Sequence, residues 1–228
     1  MKKIVVLTGA GISAESGIKT FRDADGLWEG HDIMQVATPE GFASNPELVL
    51  DFYNQRRKQL LSVKPNNAHY NLVDLEKHFD VDIITQNVDD LHERAGSSKI
   101  THLHGELIKV RSSIDESIVL EWKKDLYLGD ICNKGSQLRP QIVWFGEMVP
   151  MLDIAIEITQ KADILVIIGT SMQVYPAASL VNYIKPNTPI YFIDPKPNVS
   201  VHDFNNLKII KETASVGTEK LKELLVTQ

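Results

Sequence analysis

The chain has 228 residues, 43% of them hydrophobic and 24% charged, which is enough for one large domain or one domain carrying a smaller lobe. Its formal net charge of −6 argues against broad nucleic-acid binding, which needs a basic face, and no apolar run approaches the roughly 20 residues that span a bilayer. The single cysteine, Cys132, excludes an internal disulfide and any zinc site built on two or more thiolates.

The first predicted element is a strand, Ile4 to Leu7, following Met1-Lys2-Lys3. This run is too short for a signal sequence, lacks a small-residue cleavage site and leads straight into a glycine-rich turn, so the expectation is a cytoplasmic protein. The turn reads Gly9-Ala10-Gly11-Ile12-Ser13-Ala14-Glu15-Ser16-Gly17. Glycines after a first strand let backbone N–H groups approach a pyrophosphate at a helix N-terminus. Gly17 falls later than the third glycine of the usual dinucleotide fingerprint. Where a dehydrogenase wants a second strand ending in an acidic residue, this chain has the loop Phe21-Arg22-Asp23-Ala24-Asp25-Gly26-Leu27-Trp28. Ordinary hydride transfer is therefore disfavoured.

From Arg22 to Val63 there is no strand-like run. Asn45 reads as an N-cap before Pro46, opening a helix to about Leu61, and Asn67 reads as the cap of a second helix carrying Leu72, Val73, Leu75, Lys77 and Phe79. The strand Val81 to Thr85 runs into Gln86-Asn87-Val88-Asp89-Asp90-Leu91-His92. Ligands of open α/β sheets bind beyond the carboxyl ends of strands, and amides with a carboxylate suit ribose hydroxyls and a carboxamide. A helix N-cap at Asp89 or Asp90 is an equally good reading of these residues alone.

Next comes Thr101-His102-Leu103-His104-Gly105-Glu106-Leu107. Histidines at i and i+2 of an extended segment share a face, but no third metal ligand lies nearby in sequence. The glycine after His104 permits close approach of another group, which points to a general base over a purely structural histidine. The stretch Glu106 to Arg139 is polar, and Cys132 within it has no activating motif, so the thiol reads as inert. Further strands are expected at Ile142 to Trp144, Ile164 to Ile168 and Ile190 to Ile193, with a short amphipathic helix from Lys220 to Val226. Strands apolar on successive positions and alternating with helices predict an α/β fold with a Rossmann-like, doubly wound parallel sheet. Its parts would be 1–22, 63–105 and 140–228, with 23–62 and 106–139 forming a smaller inserted lobe.

Gly9-Ala10-Gly11-Ile12-Ser13, Phe21-Arg22-Asp23, Thr85-Gln86-Asn87-Val88-Asp89, His104-Gly105, Trp144-Phe145-Gly146-Glu147 and Gly169-Thr170-Ser171 resemble the sirtuin signatures, in family order, over nearly the whole chain. The resemblance implies a NAD-dependent enzyme that takes acylated lysine-bearing proteins or peptides between its two lobes and yields lysine, nicotinamide and O-acyl-ADP-ribose. It implies that His104 is the general base and that Asn87 and Asp89 hold the nicotinamide carboxamide and its water. It assigns dinucleotide contacts to Gly9, Ala10, Gly11, Ser13, Phe21, Arg22, Gln86, Gly169, Thr170, Ser171 and Asp194. Phe145, Gly146 and Glu147 would pair with the substrate peptide by strand addition. Protein mono-ADP-ribosyl transfer, or a non-catalytic NAD- or ADP-ribose-binding module, are the alternatives; the intact His104 and Asn87 speak against the second.

Three departures alter the expectation. Most sirtuins carry a four-cysteine zinc site in the small lobe. Here Ser112 stands where the first cysteine would fall, and Cys132 lies one position off the later pair. No zinc is therefore expected, and Ile118, Leu120, Trp122, Leu126 and Tyr127 are the candidate core of that lobe. Lys19 replaces a frequent proline in the cofactor loop, and Asp194 a frequent asparagine; a carboxylate there would repel a 2′-phosphate and favour NAD over NADP. Finally, Tyr53 and Arg56, one helical turn apart, together with the small Ala37, resemble the class III pattern that reads an acidic acyl group. That suggests desuccinylase and demalonylase activity beside deacetylase, against the plainer reading of Arg56, Arg57 and Lys58 as a solvated helix face.

Overall fold

The computed structural model describes residues 1–19, 27, 28, 30–200, 204 and 206–227. In chain order the strands are β1 (Lys3–Thr8), β2 (Leu27–Trp28), β3 (His31–Asp32), β4 (Asp80–Thr85), β5 (Ile100–His102), β6 (Gly105–Ser112), β7 (Val119–Glu121), β8 (Leu138–Ile142), β9 (Ile164–Ile168), β10 (Ile190–Ile193) and β11 (Leu207–Ile210). The α-helices are α1 (Ile33–Val36), α2 (Pro39–Ser44), α3 (Pro46–Ser62), α4 (Asn67–Leu75), α5 (Leu91–Ala95), α6 (Leu152–Thr159) and α7 (Ala214–Val226).

Six strands form one sheet in the order β11-β10-β9-β1-β4-β5, and every pairing in it is parallel. The central strand β1 is buried on both faces, which is why it reads as an unbroken apolar run. Ile4 and Val6 look to α4 and α7, meeting Leu72, Leu75, Leu221 and Leu225. Val5 and Leu7 look the other way, to Ala155 of α6 and to Leu180 and Val181 of the 3₁₀ turn Ala177–Tyr183. Each such aliphatic side chain, fully buried, contributes about 1.5–3 kcal/mol. The expected doubly wound sheet is thus present, with β5, the extended segment before His104, at one edge and β11, which was not expected, at the other.

A second sheet, β7-β6-β8, is antiparallel. The strand expected at Ile142 to Trp144 lies here instead and earlier in the chain: β8 ends at Ile142, Val143 N still donates to His104 O, and Trp144 follows as a buried residue outside the strand. Pro140 is tolerated within β8 because β8 is an edge strand. The antiparallel sheet runs from Gly105 to Ile142, so it takes in four residues that the sequence reading gave to the larger part. Helix α3 packs on it, burying Phe52 and Leu60 beside Leu107 and Ile142, and Leu50 beside Val110, Leu126 and Leu138. Of the expected small-lobe core, Leu126 is fully buried and Ile118 and Trp122 pack against it, but Leu120 and Tyr127 face solvent. Cys132 is buried in that core.

Two caps deserve their residues. Asn45 accepts from Leu48 N at the start of α3, with Pro46 at the first helical position, as expected. For α4 the cap is Asn66, one residue before the one expected: its side chain accepts from Ala68 N while His69 Nδ1 accepts from Asn66 N. No described helix is long and apolar enough to cross a membrane.

Candidate functional site

A pocket of about 710 Å³ lies at the carboxyl ends of β1, β4, β9 and β10, closed on its far side by α3 and the segment after β8. The loop after β1 is tied to the loop after β9 by main chain alone: Gly9 N donates to Ile168 O, and Gly11 N donates to Gly169 O at 2.8 Å. A Cβ on Gly11 would sit 2.5 Å from Gly169 Cα, and one on Gly9 would sit 2.8 Å from Thr170 Cβ. These glycines therefore serve first to let two loops interlock, and the interlock brings Gly9, Ala10, Gly11, Gly169, Thr170 and Ser171 to one wall. Asn66 braces the same loop from below, donating to Ile12 O and Ser16 Oγ. Nothing in the sequence reading found Asn66; its signal was the paired asparagines ahead of α4.

The segment after β4 supplies the buried polar groups. Ser13 Oγ donates to Asp89 Oδ2 at 3.0 Å and accepts from Asn87 Nδ2 at 3.2 Å. Burial pushes the Asp89 carboxyl up, with the Leu91 N–H and the Ser13 hydroxyl opposing. Asp89 also accepts from Leu91 N at the start of α5, which bears out a role at the helix start; Asp90, the residue at the cap position, makes no side-chain cap bond. Gln86 donates through Nε2 to Thr170 Oγ1, linking this segment to the loop after β9.

The two histidines have different fates. His104 lines the pocket, and its Nδ1 lies 3.0 Å from the Gln86 carbonyl. A carbonyl only accepts, so Nδ1 carries the proton and Nε2 is left as the basic nitrogen. Burial pulls the imidazole below its usual range, the Gln86 carbonyl opposing, which keeps it neutral near pH 7. His102 instead bridges the Asn87 carbonyl and the Glu93 carboxylate. Burial opposes its charge, but those two acceptors outweigh it and raise its pKa, as expected for an imidazolium clamped between groups that only accept. The two histidines make no metal pair. The glycine after His104 does permit a close approach, though of protein: a Cβ on Gly105, at φ +83°, would lie 2.0 Å from Gln141 O of β8.

On the far wall, Ala37, Tyr53 and Arg56 line the pocket together. The two neighbours of Arg56 on the helix do not share one solvated face. Arg57 is buried and donates to Leu107 O and Asn54 Oδ1, and burial pulls it down to about 10; Lys58 is exposed and pairs with Asp125. Phe145 is exposed and its N–H donates to Ala37 O. Glu147 lines the pocket, but its carboxylate accepts from Arg139, Arg111 and the Trp144 N–H. Sequence reasoning gave Arg139 and Arg111 no role, because a partner 8 or 36 residues away across a turn or a sheet leaves no periodic pattern. Asp194 is buried at the end of β10 and accepts from Lys196 N. Phe21 and Arg22 lie outside the described residues.

The pocket suits a dinucleotide, with closely packed glycine loops at one end and a buried amide–carboxylate–hydroxyl cluster at the other. The small lobe does not suit four-thiolate zinc: at that place Ser112, Cys132 and Ser136 hydrogen-bond one another and Lys134 pairs with Asp115. Among the described residues no cluster of three or more histidine, cysteine or acidic side chains is placed to hold a metal.

Residues 9–176 match the model of the Sir2 family. The chain is 61% identical to a NAD-dependent protein deacylase of Helicobacter pylori over 226 residues, covering 99% of this chain and 98% of that protein. Among solved structures it is similar to a Sir2 homologue in complex with NAD, at 39% identity and a TM-score of 0.88, covering 99% of this chain and 90% of the other. It is also similar to a Sir2 bound to acetylated peptide, at 29% identity and a TM-score of 0.80, covering 99% and 94%.

Proposed function

The chain belongs to the Sir2 family and is a NAD-dependent protein deacylase, and we propose that it removes acidic acyl groups, succinyl and malonyl, from protein lysines as well as acetyl. The observation that carries this reading is that Ala37, Tyr53 and Arg56 share one pocket with His104 and the Ser13–Asn87–Asp89 cluster. An arginine can fork a carboxylate while a tyrosine adds one more donor, and Ala37 leaves room for the longer chain.

NAD when bound supplies an electrophilic ribose carbon whose leaving group is nicotinamide. The protein's own part follows from its geometry. Asn87, Asp89 and Ser13 form a buried polar end that suits a carboxamide and its water. His104 presents a neutral Nε2 that can accept a ribose hydroxyl proton, its Nδ1–H pinned by Gln86 so that the ring cannot swing away. Gly9 to Ser13, Gln86 and Gly169 to Ser171 take the phosphates and ribose, with Asp194 at the second ribose favouring NAD over NADP. The chain's division into 1–22, 63–105 and 140–228 against 23–62 and 106–139 would place the acyl-lysine between the two parts, its peptide pairing beside Phe145 and Gly146. A cytoplasmic setting, suited to a lone buried thiol, belongs to the same reading.

The test is the substitution Arg56→Met, assayed with one peptide sequence in succinylated and acetylated forms. Loss of the charge-assisted hydrogen bonds, worth roughly 1.5–3 kcal/mol, should cut succinyl kcat/KM about 10- to 100-fold and leave acetyl turnover much less changed. Undiminished succinyl turnover would return Arg56 to an ordinary helix face.

A further inference from the structure

The indole nitrogen of Trp144 lies 2.9 Å from the Tyr53 hydroxyl oxygen. Both side chains are buried, at 2% and 0% exposure, and both line the pocket. An indole N–H can only donate, so the phenol oxygen must accept at this contact, and the phenol's own proton is directed away from the indole. We propose that Trp144 is a positioning residue that sets acyl selectivity: by occupying the acceptor side of Tyr53 it fixes the phenol as a donor toward the acyl end of the pocket. A donor there favours a carboxylate terminus and offers nothing to a methyl. The inference rests on the reading of Tyr53 and Arg56 as the acidic-acyl readers.

The orientation is enforced from behind. The Arg139 guanidinium lies 3.3 Å from the centroid of the Trp144 ring. The same guanidinium donates to both Glu147 oxygens, at 2.7 and 3.1 Å, and to Ile142 O. Glu147 in turn accepts from the Trp144 main-chain N–H at 2.8 Å and from Arg111 at 3.0 Å. The indole therefore cannot rotate away from Tyr53 without giving up its stack on Arg139, which the part-buried pair to Glu147 holds in place. Burial raises the Tyr53 phenol well above its ordinary value, so it keeps its proton across the working range. Donation into its oxygen also strengthens its own O–H as a donor, because successive hydrogen bonds polarise one another.

The experiment measures kcat and KM for succinyl- and acetyl-lysine forms of one peptide with the wild type, Trp144→Phe, Tyr53→Phe and the double variant. Phenylalanine keeps an aromatic ring under Arg139 and deletes the N–H together with part of the ring, and the acetyl peptide serves as the control for the lost volume. The succinyl-to-acetyl ratio of kcat/KM should fall about 5-fold in Trp144→Phe, the worth of one neutral hydrogen bond, mainly through KM for the succinyl peptide. In the double variant the ratio should match that of Tyr53→Phe alone. An unchanged ratio, or a loss that adds in full to that of Tyr53→Phe, overturns the inference while leaving the acyl reading intact. A wild type with no succinyl preference removes that reading and the inference with it. Should Trp144→Phe fail to fold, the indole ¹⁵N–H resonances of the three tryptophans provide the test in the intact chain. The Trp144 signal should move when succinyl peptide is added and stay put with acetyl peptide; no difference overturns the proposal.

Discussion

The two walls of the pocket are built by different means. The cofactor wall is main chain against main chain: Gly9 and Gly11 donate to the carbonyls of Ile168 and Gly169, with no room between the loops for a side chain. The acyl wall is side chain against everything. The small lobe behind it is held the same way: Arg57 holds Leu107 O, Asn54 holds the Leu126 carbonyl and N–H through the two ends of its side-chain amide, Arg139 holds Glu147, and Ser112, Cys132 and Ser136 close on one another. A wall made of backbone tolerates few residue types at fixed spacing. A wall made of side chains can be re-equipped one residue at a time, which is where a family can change what it accepts while keeping its cofactor.

Breaking the cofactor wall should therefore cost the most. His104→Ala removes the proposed base and should lower turnover of every acyl peptide about 10²- to 10⁴-fold, with an unchanged thermal midpoint; a loss confined to one acyl group would contradict that role. Gly11→Ala drives a Cβ into Gly169 backbone at 2.5 Å, where neither side can yield. The expected result is a destabilisation of about 1–3 kcal/mol together with weakened NAD binding, measured by denaturant unfolding and calorimetry.

Acid should act on the same wall from beneath. His69 and His92 are fully buried with ring centroids 5.0 Å apart, and His92 Nε2 meets Thr8 Oγ1 at the end of β1. Burial pulls His69 down to about 4, opposed by the Glu93 carboxylate, and holds His92 well below its usual range. Both pKa values are depressed in the fold, so the unfolded chain binds more protons below pH 6.5 and stability is lost as pH falls from there. His69 alone accounts for about 3 kcal/mol by pH 4. Denaturant unfolding at pH 7 and pH 4.5 measures it, and a flat profile would show that these rings are not buried.

The acyl wall should answer more quietly. A chelator should leave the thermal midpoint unchanged, because Ser112, Cys132 and Ser136 hold one another without metal, whereas Ser112→Ala should cost about 1 kcal/mol. A midpoint that falls with chelator would mean that a metal holds this lobe after all.

The same contrast governs what the sequence disclosed. The turns at Gly9 to Ser13, Gln86 to Asp89 and Gly169 to Ser171 stand at strand ends, and the constraint that spaces them is local, so they read directly. The edge strand β5 was read only as an extended segment around His102, and β11 escaped because it is short and carries exposed or polar members such as Lys208. Trp144 and Val143 looked like a strand because burial and strand pairing write the same apolar letters. Leu120 and Tyr127 looked like core for the converse reason: apolar character does not say which face of a small sheet is covered. The bonds that set the acyl wall, Trp144 to Tyr53 and Arg111 to Glu147, join residues 91 and 36 positions apart and have no local signature at all.

The most direct test of the account weighs the products of the purified protein given acetyl- and succinyl-lysine versions of one peptide, with and without NAD. The account predicts loss of both acyl groups only when NAD is present, one nicotinamide released per lysine freed, and a faster succinyl reaction. Transfer of ADP-ribose to protein without any freed lysine, or NAD bound and left intact, would contradict it.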